Sequence, residues 1–159
     1  MSTFRIMPSF QTSRIVPHSP RQMFDLVADV ERYPEFLPLC EAISIRDIKE
    51  RDGKTLLICE MTVGYKAIRE TFATQDLLKP DDLEIDVKFF EGPFKYLDNK
   101  WTFKPHGAHG CEVGFYIDYE FKSRMLGMLM GSMFDRAFRM FSEAFEKRAQ
   151  VVYGDAAVS

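Results

Sequence analysis

Cysteines are few, no charge sign dominates and no apolar run is long, and each shortage removes a class of protein. Cys40, Cys59 and Cys111 are odd in number and never fall at C-x-x-C spacing, so a disulfide framework is not expected and the thiols should stay reduced inside a cell. No segment approaches the roughly 20 consecutive apolar residues of a membrane-spanning helix. Arg5, Pro8, Gln11 and Arg14 interrupt the N-terminus, which lacks the apolar centre of an export signal. The expected location is the cytoplasm, or the inner face of a membrane as a peripheral protein. Net charge is −3 with acids and bases interspersed, which gives no general drive toward nucleic acid. Internal repeats, low-complexity tracts and linkers are absent. So are the nucleophile elbow, Walker loop, GxGxxG and HExxH patterns, and no catalytic motif is legible.

What is abundant is phenylalanine (15) and methionine (9) in 159 residues. Phe fills large volumes and Met adapts its shape, so a surface made of both forms an ordinary core or accommodates a greasy molecule of irregular outline. The length predicts one domain, residues 1–154, with a disordered tail at 155–159. Such a domain can bury a core without disulfide or metal.

Arg124 to Val152 organises the rest. At about 3.6 residues per turn, Leu126, Leu129, Met130, Met133, Phe134, Ala137, Phe138, Met140, Phe141, Ala144, Phe145 and Val152 share one side. Asp135, Arg139, Ser142, Glu143, Glu146 and Gln150 fall opposite. The apolar side spans nearly ~180°, wider than the ~100° that suffices for packing on a core. The helix is roughly 40 Å long, enough to cross a small domain.

Before it come short strands. Ser9 to Val16 predicts the first, and Ser19-Pro20 an N-cap opening a helix through Met23, Phe24, Val27 and Val30, which Pro34 and Pro38 then break into a pair. Ala42 to Arg51 and Lys54 to Gly64 flank Asp52-Gly53, a hairpin signal, and alternation turns Leu57, Cys59, Met61 and Val63 inward. Ala67 to Leu78, Leu83 to Phe90, Lys95 to Lys104 and the stretch ending Val113, Phe115, Ile117, Tyr119, Phe121 complete six consecutive strands, an antiparallel meander. The expected fold is α+β, a curved antiparallel sheet wrapped around the C-terminal helix, with an elongated apolar cavity wherever the Phe- and Met-lined surfaces separate.

Polar chemistry is sparse. His106-x-x-His109-x-Cys111 falls in a glycine-rich turn without a fourth ligand, so no metal is expected there. His18 precedes the helix cap and is expected on the surface. Asp118 and Glu120 share what should be the solvated face of the last strand. Met125 and Met128 lie on the otherwise polar side of the long helix, leaving its first turns apolar all round. Such a tip meets a second copy of the chain, or a membrane whose headgroups would suit Arg124.

Several stretches together resemble the coenzyme Q-binding protein family, a branch of the START-like polyketide cyclase and lipid-transport superfamily. They are Tyr33-Pro34-Glu35-Phe36-Leu37-Pro38-Leu39-Cys40, Glu91-Gly92-Pro93-Phe94 ahead of Trp101-x-Phe103, Tyr119-Glu120-Phe121-Lys122-Ser123, and Ala144-Phe145-x-x-Arg148-Ala149 with Tyr153-Gly154. The resemblance implies a helix-grip fold whose cavity holds ubiquinone or a related polyprenyl lipid, as carrier or chaperone in respiration, without catalysis and with no cofactor beyond that ligand. Without a transit peptide, a bacterial member is expected. Bacterial relatives also include ribosome-associated toxins that block subunit joining, a role that would need a basic face, from Arg69, Lys95, Lys100 and Lys104.

On the lipid reading, Leu57, Met61, Val63, Trp101, Phe115, Ile117, Met130, Phe134 and Phe138 line the cavity, with Phe36 and Leu37 at one end. Met125, Leu126, Met128 and Leu129 touch the membrane during exchange. A cyclase-type enzyme, which the superfamily includes, would need polar groups inside, and the inward faces offer only Asn99, Cys59 and Tyr119.

Overall fold

The computed structural model describes residues 9–154, so the expected tail at 155–159 lies outside the described residues. β1 (Ser9–Val16) is followed by α1 (Pro20–Ala28) and a 3-10 turn (Val30–Glu35). Then come β2 (Cys40–Arg51), β3 (Lys54–Tyr65), β4 (Ile68–Lys79), β5 (Glu84–Glu91), β6 (Phe94–His106), β7 (Gly110–Phe121) and α2 (Arg124–Tyr153). The seven strands form one antiparallel sheet in the order β1-β7-β6-β5-β4-β3-β2. The expected meander is β2 to β7, and β1 closes onto β7 with Val16 opposite Cys111. The fold is α+β, with α2 packed over the inner face of the sheet.

Local chemistry sets the corners. Asp52 and Gly53 have φ of +53° and +78°, the pair of positive values that a tight two-residue hairpin demands. Register shifts interrupt the ladder in β2, between Ala73 and Thr74 in β4, and between Phe94 and Tyr96 in β6. Each bulge adds a residue to one strand and bends it, which curves the sheet around α2. The β6 bulge turns Phe94, 0% exposed, onto the inner face that Leu97, Trp101 and Phe103 also occupy. Phe94 therefore belongs to the strand and the core, not to the connection before it.

The N-terminal helical pair breaks earlier than the prolines suggest. Ser19 accepts from the Gln22 amide while the Gln22 side chain accepts from the Ser19 amide, a reciprocal cap with Pro20 in the first turn. The break comes at Asp29, whose ψ of 69° is not helical, and Pro34 sits inside the following 3-10 turn. Met23, Phe24, Leu26 and Val27 are buried from this short helix.

His18 is the clearest departure from expectation: it is completely buried. Its Nε2 lies 2.9 Å from the Gly154 carbonyl oxygen, and its ring faces Tyr153 at 6.0 Å. Tyr153 in turn donates to the Gln22 carbonyl. The segment before α1 and the end of α2 are thus tied together, a contact 136 residues apart that local reading does not reveal.

α2 starts at a Ser123 cap, whose hydroxyl accepts from the Leu126 amide. Its buried stripe is Met130, Phe134, Ala137, Phe138, Ser142, Phe145 and Ala149. Ser142 is buried despite its polar type, because it lies one turn after Phe138 on the same face. Met140 (46%) and Val152 (49%) are half exposed although the wheel placed them on the apolar side. Met140 lies at the margin of the stripe, in the wall of a groove described below, and Val152 lies in the last turn of the helix. Full burial of a Phe such as Phe145 contributes about 2–3 kcal/mol, and the stacked rings of Phe94, Phe121 and Phe134 add to it.

Candidate ligand cavity

The inner face of the sheet and α2 do not meet everywhere. An inner chamber of about 70 Å³ lies beneath the α1 and 3-10 elements, walled by Val27, Tyr33, Leu37, Ile43, Ile85, Trp101 and Phe145 among others. An outer chamber, also about 70 Å³, lies between Val63, Phe72, Leu97, Phe115 and Ile117 of the sheet and Phe134, Ala137 and Phe138 of α2. Met61, Asn99 and Phe141 border both, so the two are consecutive compartments along one axis. Drug-sized ligands occupy roughly 300–1,000 Å³. The two chambers are smaller than that, so a ligand of such size would displace side chains such as Met61 and Phe141.

The outer chamber leads outward. Pro38, Leu39 and Ala137 belong both to its wall and to a surface groove of about 270 Å³ between α2 and the β3–β4 turn. Leu129, Met133 and Met140 line this groove on the helix side and Tyr65, Lys66 and Ile68 on the other. This explains the unusual width of the apolar face: part of it lines this surface groove.

The expected lining residues divide accordingly. Leu37, Met61, Val63, Trp101, Phe115, Ile117, Phe134 and Phe138 border the chambers. Leu57 does not, because it packs with Val30 and Cys59 in a separate small cluster. Met130, fully enclosed one turn before Phe134, borders neither chamber. Phe36 is displaced outward by Tyr33, which takes the inward place, and it borders a groove on the outer side of α2 beneath Arg148. At the tip, Met125, Met128 and Leu129 are 60–79% exposed, whereas Leu126, one turn before Met130, turns inward and packs on the core.

The polar content of the interior exceeds what alternation suggested. Thr74 and Asp76 of β4 project into the inner chamber beside Asn99. Asp76 is 7% exposed, and Oδ1 accepts from the Thr74 hydroxyl at 2.7 Å while Oδ2 lies 3.7 Å from the Cys59 thiol. No cation pairs with it among the described residues. Burial pushes its carboxyl up to about 6, outweighing the two donors that favour the charged form. Burial, then the Asp76 charge, also holds Tyr33 well above the ordinary phenol range, so its hydroxyl stays protonated and donates to the Val27 carbonyl. The Cys59 thiol is raised by burial and by Asp76. In sequence the residue was hidden because β4 mixes Glu70, Thr74 and Asp76 with Phe72 on its inward positions.

Elsewhere the surface is charge-paired. Arg69 meets Glu41, Lys95 meets Glu120, and Lys100 meets Glu84 and Asp86, so three of the four residues of the expected basic face are neutralised. Among the described residues the cations without a carboxylate partner include Lys54 at the start of β3, Lys104 in β6, Lys66 in the β3–β4 turn, Lys122 in the β7–α2 connection, and Arg124 and Arg136 in the first half of α2. His106 and His109 are exposed while Cys111 is buried, and no group of three metal-ligating side chains occurs among the described residues. No helix there is long and apolar enough to cross a membrane.

A curved antiparallel sheet closed by one long helix over an apolar interior defines the helix-grip class of protein. Residues 16–146 match the family described as polyketide cyclase/dehydrase and lipid transport, and the chain belongs to that family. It is 38% identical over 149 residues to the ribosome association toxin RatA of Rickettsia prowazekii, covering 92% of this chain and 99% of that protein. It is 29% identical over 150 residues to the mitochondrial coenzyme Q-binding protein COQ10 homolog B of Xenopus laevis, covering 91% of this chain and 59% of that one. A START superfamily protein from Mycobacterium smegmatis shares the fold, with a TM-score of 0.76 over 91% of this chain and 98% of that one, at 19% identity. The superfamily expected from sequence is the one found. Within it, the toxin-named relative is more similar, and over more of its own length, than the coenzyme Q-binding one.

Proposed function

We propose that this protein is a cytoplasmic ribosome-associating factor that also encloses a hydrophobic small molecule. The observation that carries the first part is the full-length similarity to a protein named for ribosome association. The contact surface on this reading is the end of the molecule at the start of α2, where Lys66, Lys122, Arg124 and Arg136 meet no carboxylate and could reach phosphates. Sedimentation with purified ribosomal subunits at increasing salt tests it. Binding should weaken steeply with salt, and changing Lys66, Arg124 and Arg136 together to Glu should lower the log–log salt slope by about 2–3. Absence of co-sedimentation at low salt would remove the reading.

A second reading, a non-enzymatic quinone or polyprenyl-lipid carrier, is favoured by the chambered apolar interior and by the exposed tip of Met125, Met128 and Leu129 beside Arg124. Burial of isoprenoid carbon at about 25 cal/mol per Å² would supply the affinity. Organic extraction and mass spectrometry of protein purified without detergent tests it. A stoichiometric ubiquinone or other lipid supports it, and an empty protein that also fails to take up added lipid removes it.

A further inference from the structure

Asp76 is a carboxylate kept without a cation in a mostly apolar wall that includes Tyr33, Met61, Trp101 and Phe145, with Thr74 and Asn99 beside it. Leaving a buried charge unpaired is costly, and each carboxylate oxygen can accept about two hydrogen bonds. Here Oδ1 receives one, from Thr74, and Oδ2 one weak one, from Cys59. Of the nearby donors, the Tyr33 hydroxyl is given to the Val27 carbonyl and the Asn99 amide gives one of its two hydrogens to the Tyr116 carbonyl. The unfilled acceptor positions border open space of about 70 Å³. That is more than the ~10–15 Å³ a single water needs by the same kind of measure. The outer chamber that adjoins it, across Met61 and Phe141, is apolar on nearly every wall.

We infer that the inner chamber selects the head of the bound molecule, preferring apolar ligands that carry a hydrogen-bond donor over those with acceptor-only or anionic heads. The inference rests on the cavity reading above and deepens it. A ligand lies with its tail in the outer chamber and its hydroxyl at Asp76. A carboxylate head would face a like charge at close range, and a carbonyl head would meet an acceptor with an acceptor. Among redox-active lipids, a ring bearing hydroxyls is favoured over its oxidised dione.

Trp101, the sole tryptophan, borders the inner chamber and reports its occupancy directly. Its emission is followed on titration with three probes of matched tail, decanol, 2-decanone and decanoate, at a pH well above that at which Asp76 ionises. Decanol should bind at least about tenfold more tightly than 2-decanone, the equivalent of one hydrogen bond to a charged group, with decanoate weaker still. Asp76→Asn, which preserves shape and adds a donor, should bring decanol and 2-decanone within about threefold of one another. Equal affinities for decanol and 2-decanone in the natural protein, or a ratio that Asp76→Asn leaves unchanged, would overturn head selection while leaving the cavity reading intact. Emission unmoved by all three probes would overturn the cavity reading and the selection with it.

Discussion

Replacing Asp76 by Asn should stabilise the protein, and should do so only above the pH at which the carboxyl ionises. The folded chain holds this carboxyl near 6 against an ordinary value of 3.8. Between those values the folded state keeps its proton while the unfolded chain has lost it, so raising pH through that window favours unfolding. Below about 4 the carboxyl is neutral in both states and the penalty vanishes; above about 6 it is complete. The gap corresponds to about 3 kcal/mol, an upper bound because the side chain is buried but borders a chamber that water can enter. The amide must find its own acceptor, a constant offset of order 1 kcal/mol that does not depend on pH. Urea unfolding of both proteins from about pH 4 to pH 8 isolates the charge, since other carboxylates cancel in the difference. The stability of Asp76→Asn relative to the natural protein should rise by about 2–3 kcal/mol across that range, with unchanged m-values. A difference that stays flat to within about 0.5 kcal/mol would refute the assignment of Asp76 as a buried, uncompensated charge.

Changing Met125, Met128 and Leu129 together to Ser should alter stability by no more than about 0.5 kcal/mol per site, because all three are exposed, yet abolish flotation with anionic vesicles. Unchanged flotation would dismiss the tip as a membrane contact. Gly92→Ala should cost several kcal/mol, on the order of 3, since Gly92 has φ of +141° and a new Cβ would sit 2.5 Å from the Cβ of Phe72. A melting temperature equal to the natural protein's would contradict it. His18→Ala should cost about 2–3 kcal/mol and speed amide exchange specifically in the last turn of α2, where the bond to Gly154 is lost; uniform exchange changes would deny that anchoring role.

Where two faces of an element differ cleanly, the sequence carried the structure. β7, with Val113, Phe115, Ile117, Tyr119 and Phe121 buried in alternation, and the Asp52-Gly53 corner were legible because period and turn chemistry are local. The inner position of Asp76 was not, since nothing in β4 distinguishes an inward acid from an outward one until β3 supplies Cys59 and the 3-10 turn supplies Tyr33. The same holds for His18, whose partner lies at the far end of the chain. Phe36 caps the 3-10 turn that carries Tyr33, and both rings pack on Phe145 of α2; Arg148 of α2 lies over Phe36. The basic face failed for a related reason: Lys100 is cationic in sequence but is held between Glu84 and Asp86 across the sheet.

The groove beside the outer chamber carries two of the cations without a carboxylate partner. Lys66 and Arg136 line the groove that opens the outer chamber, and Arg124 stands one helical turn from Met128. A polyanionic partner gripping these cations would cover the passage between α2 and the β3–β4 turn, and a lipid entering there would push the same elements apart. A ligand larger than the chambers would displace side chains on α2 such as Phe138 and Phe141, on the helix that also carries Arg136 into the groove. On the proposed function, ribosome association and ligand binding would be coupled, and coupling is reciprocal for binding free energies. Apparent affinity for ribosomal subunits, measured by sedimentation at fixed salt, should differ by about fivefold or more between stripped and lipid-loaded protein, the lower range of ordinary allosteric coupling. The same factor should separate lipid affinity with and without subunits present. Equal subunit affinity in the two preparations would mean that the mouth and the docking surface are separate, and that the cavity serves a purpose unrelated to the ribosome.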